Sequence, residues 1–134
     1  MATLTLVRGI PGSGKSTFAK HAFPGALLLE NDMFLMEDGV YKWSPEKVKA
    51  AVSLCMKTAK MALENKSDVV IANTFTKLRY VEAYSKLASE VGASFKVYRC
   101  NGNFKNVHNV SDSVVQSFKD SMEDFPGEVL VDPV

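Results

Sequence analysis

Val7-Arg8-Gly9-Ile10-Pro11-Gly12-Ser13-Gly14-Lys15-Ser16-Thr17 is the stretch on which the reading of this chain turns. From Gly9 to Ser16 it spells G-x-x-x-x-G-K-S, the phosphate-binding P-loop. Glycines reach backbone dihedrals that a Cβ forbids, so successive N–H groups turn inward and form a concave nest for phosphate oxygens. Lys15 is placed to reach the β- and γ-phosphates, and Ser16 offers a hydroxyl to Mg²⁺. A helix starting near Gly14 or Lys15 points its positive end at the same anion. The candidate nucleotide-binding set is therefore Gly9, Pro11, Gly12, Ser13, Gly14, Lys15, Ser16 and Thr17, with Ser16 as the metal ligand.

The flanks supply the context the motif needs. Thr3 to Arg8, rich in Leu, Val and Thr, reads as a buried parallel strand, and Phe18, Ala19 and Ala22 continue a helix that Pro24-Gly25 stops. Ala26 to Glu30 is a second strand that ends in the polar cluster Glu30-Asn31-Asp32, at the edge where open α/β sheets bind ligands. Glu37-Asp38-Gly39 is a turn signal. Ser44 and Pro45 open a helix as N-cap and first residue, and Val48, Val52, Cys55, Met56, Ala59 and Leu63 form its apolar stripe. Lys49, Lys57 and Lys60 lie off that stripe, as a solvated face does.

Val69 to Ala72 is β-branched and reads as a central strand, followed by Asn73-Thr74 at the same ligand edge. A helix from about Lys77 to Val91 closes on Gly92, and Phe95 to Tyr98 gives the fourth strand. Arg99 to Val110 is a polar loop, a lid-like segment over about residues 100–111. Ser111 can cap a last helix carrying Val114, Val115, Phe118 and Met122. Phe125-Pro126-Gly127 ends it before a short strand at Val129 to Val131.

This βα alternation predicts an α/β fold of the P-loop NTPase type, nucleoside-kinase-like. It has a parallel sheet of about five strands, helices on both faces and right-handed crossovers. At 134 residues the chain reads as one domain, residues 1–134. With 46% hydrophobic and 23% charged residues it falls outside the disordered and membrane classes, and no apolar run is long enough to cross a bilayer. The N-terminus lacks the tripartite pattern of a secretory signal, so a cytoplasmic location is expected. A net charge of +1 provides no global field for nucleic acid. Cys55 and Cys100, without C-x-x-C spacing, read as reduced packing residues.

Asn65-Lys66-Ser67-Asp68 matches the N-K-x-D motif by which GTPases read guanine. Here it joins a helix end to a strand start, on the edge opposite the P-loop, and Asn65 reads instead as a helix C-cap. ATP is the expected nucleotide.

The chain resembles the polynucleotide-kinase-like and NEDD4-binding-protein-2-like P-loop ATPases, kinases of the zeta-toxin-like, AAA-type group. It is most similar to the short ATP-binding proteins of phage and bacterial genomes. The residues that carry the likeness are Val7 to Thr17, Asn31-Asp32-Met33-Phe34, Asp38-Gly39-Val40-Tyr41 and Asn73-Thr74-Phe75-Thr76. A weaker match runs from Arg99 through Asn103 to Val107-His108-Asn109-Val110-Ser111. The resemblance implies transfer of the ATP γ-phosphoryl group, with Mg²⁺, to a hydroxyl on a nucleic acid end, a nucleoside or a small molecule. It makes Asp32 the general base; a purely local reading makes Asp32 a cap on the turn into Met33 and Phe34.

Two departures qualify this. Active relatives carry arginines on the lid, whereas this segment has Lys105 and His108, with Arg99 nearby as the candidate substitute. Asn73 stands where the polynucleotide kinases have an aspartate, so it can hold water or acceptor but adds no charge near the metal. His108 and Phe104 each have a nucleotide-facing reading and a loop-packing one. The candidate catalytic residues are thus Lys15, Asp32 and Arg99, with Asn73, Thr74, Lys105 and His108 around the acceptor. The competing function is a nucleotide-binding interaction module or weak ATPase. Oligomeric state has no signature in the sequence.

Overall fold

The computed structural model describes residues 2–10, 13–37, 40–41, 44–101 and 112–131. In chain order the strands are β1 (Thr3–Arg8), β2 (Leu27–Leu29), β3 (Met36–Glu37), β4 (Val40–Tyr41), β5 (Val69–Ala72), β6 (Ser94–Cys100) and β7 (Val129–Val131). The helices are α1 (Lys15–Ala22), α2 (Pro45–Glu64), α3 (Leu78–Val91) and α4 (Asp112–Ser121), and a 3₁₀ turn covers Asn31–Leu35.

Five strands form one sheet in the order β2-β5-β1-β6-β7. Every pairing in it is parallel, with Leu4 opposite Val69 on one side and Phe95 on the other. β1 is the middle strand, and Leu4, Leu6 and Val7 are wholly buried. Alternation along β1 divides the core. Leu4 and Leu6 pack with Cys55, Ala59 and Leu63 of α2 and Val81, Tyr84 and Leu87 of α3, whereas Val7 packs with Ala19 and Phe18 of α1. Helices therefore cover both faces, the α/β P-loop NTPase architecture that the alternation predicts.

Local chemistry sets the boundaries. Ser44 Oγ accepts the Lys47 N–H at 3.1 Å, with Pro45 at the first helical position, and Gly92 closes α3 at φ 70°. Asn65 is the C-cap of α2 and Lys66 takes the left-handed conformation beyond it, at φ 66°. Asp68 Oδ1 then accepts the Thr3 N–H at the start of β1, which puts N-K-x-D at the far edge from the P-loop. The antiparallel pairing of Met36–Glu37 with Val40–Tyr41 is an addition to the expected elements, around a turn whose Asp38 and Gly39 lie outside the described residues.

The chain leaves β1 toward β2 and β5 on one side and later crosses to β6 and β7 on the other, so the strand order reverses at β1. Open α/β sheets bind ligands at the carboxyl end of that strand. The P-loop is the segment that follows it.

Candidate functional site

Gly9 is where the loop folds back on its own base. A Cβ there would lie 2.4 Å from Ser13 Oγ and 3.0 Å from the Cys100 carbonyl oxygen, so a side chain would displace the loop or the end of β6. The Ser13 N–H donates to the Ile10 carbonyl at 3.1 Å, and Gly9 N–H donates to the Thr74 carbonyl at 3.3 Å. Ser13 is 3% exposed, and its Oγ has no partner among the described residues, a polar atom buried in the cradle. Gly14 turns the chain into α1 at φ 90°.

The start of α1 is electrostatically open. Its N-cap is Gly14, among the described residues no side chain caps it, and no acidic residue occupies its first turn, so the positive end of the helix dipole lies beside the loop. α2 is capped by its own Ser44, and the Leu78 N–H at the start of α3 donates to Glu123 Oε1 at 2.8 Å. Lys15 Nζ donates to the Ile10 carbonyl at 3.0 Å and so lies over the loop. Burial pushes the neighbouring Cys100 thiol up from its usual range, and the charge of Lys15 pulls it the other way. Thr17 is exposed on α1; Pro11 and Gly12 lie outside the described residues. A buried hydroxyl, a cradle that a Cβ would fill, a lysine and an open helix start fit a polyphosphate.

Beside the loop, β2 and β5 deliver a polar cluster. The Ser16 hydroxyl donates to Glu30 Oε1, joining the start of α1 to the end of β2. Asn31 N–H donates to Asn73 Oδ1 at 2.9 Å, and the Asn31 Oδ1 and Asn73 Nδ2 atoms are buried without partners among the described residues. Thr74 thus meets the P-loop through its main-chain carbonyl, and Asn73 meets the residue after Glu30 through its side-chain amide oxygen. Asp32 lies in the 3₁₀ turn that begins at Asn31; its carboxylate is outside the described side chains. Glu30 is the residue that sequence reasoning left without a role. Its signal was present, as the first member of the polar triple at the end of β2, but its contact with Ser16 depends on where β2 lies.

Arg99, at the end of β6, is held by two carboxylates. Its Nη1 donates to Asp124 Oδ1 and, at 3.4 Å, to Glu128 Oε2. Arg8 is wholly buried beside it, with Nη1 on Glu128 Oε1 at 3.1 Å and Nε and Nη2 on the Phe75 carbonyl at 3.1 and 2.6 Å. Burial lowers the Arg8 pKa, and Glu128 opposes that shift. A cavity of about 150 Å³ lies between Gly9 and Ile10 of the loop and Arg99, Cys100 and Lys119. Lys105, His108 and Phe104 lie outside the described residues.

Sheet order, loop position and loop geometry together define a P-loop NTPase with a kinase-like fold. The chain belongs to the AAA domain family, whose model matches residues 4–103. It is 34% identical to an uncharacterized protein of Pasteurella multocida (strain Pm70), over all of this chain and 85% of that one. An unliganded sugar kinase from Janibacter sp. HTCC2649 superposes with a TM-score of 0.69 at 16% identity, covering 99% of this chain and 85% of the other. A chain of a Pnkp1/Rnl/Hen1 complex gives 0.65 at 22% identity, covering 83% of this chain and 43% of the neighbour, less than half its length.

Proposed function

We propose that this protein binds ATP with Mg²⁺ and transfers its γ-phosphoryl group to a hydroxyl acceptor: a nucleic acid 5′-hydroxyl, a nucleoside, a modified base or another small molecule. The observation that carries the reading is the cradle of Gly9, Ser13, Gly14 and Lys15, set at the carboxyl end of the middle strand where the strand order reverses. The kinase-like neighbours, one described as a sugar kinase and one as a Pnkp1 complex, support the reaction class and leave the acceptor class broad.

Each residue has a definite task. The loop N–H groups and Lys15 hold the β- and γ-phosphates, and Ser16 offers a hard oxygen to Mg²⁺. Bound Mg²⁺ would supply positive charge to offset that of the phosphates. The acceptor oxygen attacks the γ-phosphorus in line, the bond from that phosphorus to the β–γ bridging oxygen breaks, and ADP leaves. Asp32 accepts the proton of the acceptor hydroxyl. Its backbone lies in the 3₁₀ turn at the end of β2, two residues beyond Glu30, which Ser16 contacts.

The test is incubation with γ-labelled ATP and a panel of hydroxyl acceptors. Label is expected on at least one acceptor, and Asp32→Ala should reduce that transfer by about 10²- to 10⁴-fold while ATP binding persists. Label found only in free phosphate contradicts the kinase reading.

One observation favours the second reading, a nucleotide-binding module or weak ATPase. Arg99, the candidate for stabilising charge on the transferring group, is engaged by Asp124 and Glu128. An arginine in that role is worth about 10³- to 10⁵-fold in rate. On this reading the panel shows free phosphate or no turnover, with nucleotide binding intact.

A further inference from the structure

We infer that Glu30 is the carboxylate ligand of the Mg²⁺ that accompanies the nucleotide, sharing the ion with Ser16; this rests on the nucleotide reading proposed above. The contact joins two residues on different elements, one at the first turn of α1 and one at the end of β2, and brings together a hydroxyl and a carboxylate oxygen. Both are hard oxygen donors. Mg²⁺ is typically held by one or two carboxylates plus substrate phosphates, keeping several waters, so a hydroxyl and a carboxylate side by side at the edge of a phosphate cradle suit it.

The neighbouring side chains explain why the charge comes from this position. Asn73 is neutral, and its Oδ1 accepts the Asn31 N–H. It therefore braces the main chain next to Glu30 instead of presenting an anion to the metal. Glu30 is half-buried, with its main chain continuing into the 3₁₀ turn that Asn73 pins. Among the described residues no group of three or more His, Cys, Asp or Glu side chains is placed to hold an ion, so the nucleotide and water complete the shell. With an ion bound, Ser16 and Glu30 would each offer it an oxygen in place of their bond to one another.

The experiment is calorimetric titration of the full chain with a non-hydrolysable ATP analogue, with and without Mg²⁺. It is repeated for Glu30→Gln and Asp32→Ala, with electron paramagnetic resonance of Mn²⁺ as a direct readout of bound metal. In the wild-type protein Mg²⁺ should tighten analogue binding. In Glu30→Gln that gain should fall on the order of tenfold or more, since even groups behind metal ligands are worth about 10- to 100-fold in metal affinity. Metal-free binding should stay equal or become tighter, because a negative charge beside the triphosphate has been removed.

Glu30→Gln with an undiminished Mg²⁺ gain overturns the inference alone. So does a loss of metal-free binding in the same variant, which would make Glu30 a brace for the loop, and so does a gain that Asp32→Ala removes and Glu30→Gln does not. A wild-type chain that binds no analogue under either condition removes the nucleotide reading itself.

Discussion

Arg8 and Glu128 are 120 positions apart in sequence and meet at 3.1 Å, with the arginine wholly buried and the Glu128 side chain 8% exposed. Glu128 also reaches Arg99 and accepts the Phe125 N–H at 3.1 Å, so one carboxylate joins the end of β1, the end of β6 and the approach to β7. Removing one partner of a buried pair strands the other charge in a poorly solvated place. Glu128→Gln should therefore destabilise the fold by about 3 kcal/mol, read as a lower urea midpoint at unchanged slope. At this scale the sequence is informative only where spacing is short. Gly9, Ser13 and Gly14 are named by their motif, and the geometry gives each a reason. Arg8 carried no signal beyond its place in the stretch Val7 to Thr17, because its counter-ion lies at the other end of the chain. Glu30 was similarly hidden, since α1 and β2 bring it to Ser16 although β5 separates β2 from β1 in the sheet.

Helix α2 is the element whose start is most fully written in its own residues. Ser44 Oγ accepts the Lys47 N–H and Pro45 occupies the first position. Ser44→Ala should cost about 1 kcal/mol in chemical unfolding; a cost within error would show that the cap is replaceable by water. α3 makes the opposite case. The start near Lys77 is legible from the pattern, but its cap is not local: the Leu78 N–H is met by Glu123, 45 residues away. Strands follow the same division. Val69–Ala72 is β-branched and wholly or nearly buried, and reads clearly. The two-residue strands β3 and β4 are too short for any periodicity, and only their pairing defines them. Asn65-Lys66-Ser67-Asp68 shows how position corrects a motif: the same letters that suggest guanine recognition here form a helix end and an anchor for Thr3.

Across the whole molecule, the alternation of strand and helix was enough to indicate a parallel sheet covered on both faces, because crossover connections leave few other arrangements. It does not specify strand order, and strand order is what sets the P-loop at the reversal point and brings Glu30, Asn31, Asn73 and Thr74 around it. On the function proposed above, this cradle holds the phosphates of ATP and Lys15 supplies its positive charge. Calorimetric titration of the wild-type chain and Lys15→Ala with Mg²⁺ and ATP tests that claim most directly. Saturable binding of one nucleotide per chain, lost in Lys15→Ala while the variant stays folded by circular dichroism, is the predicted result. Equal binding by the two proteins, or none by the wild type, would contradict it.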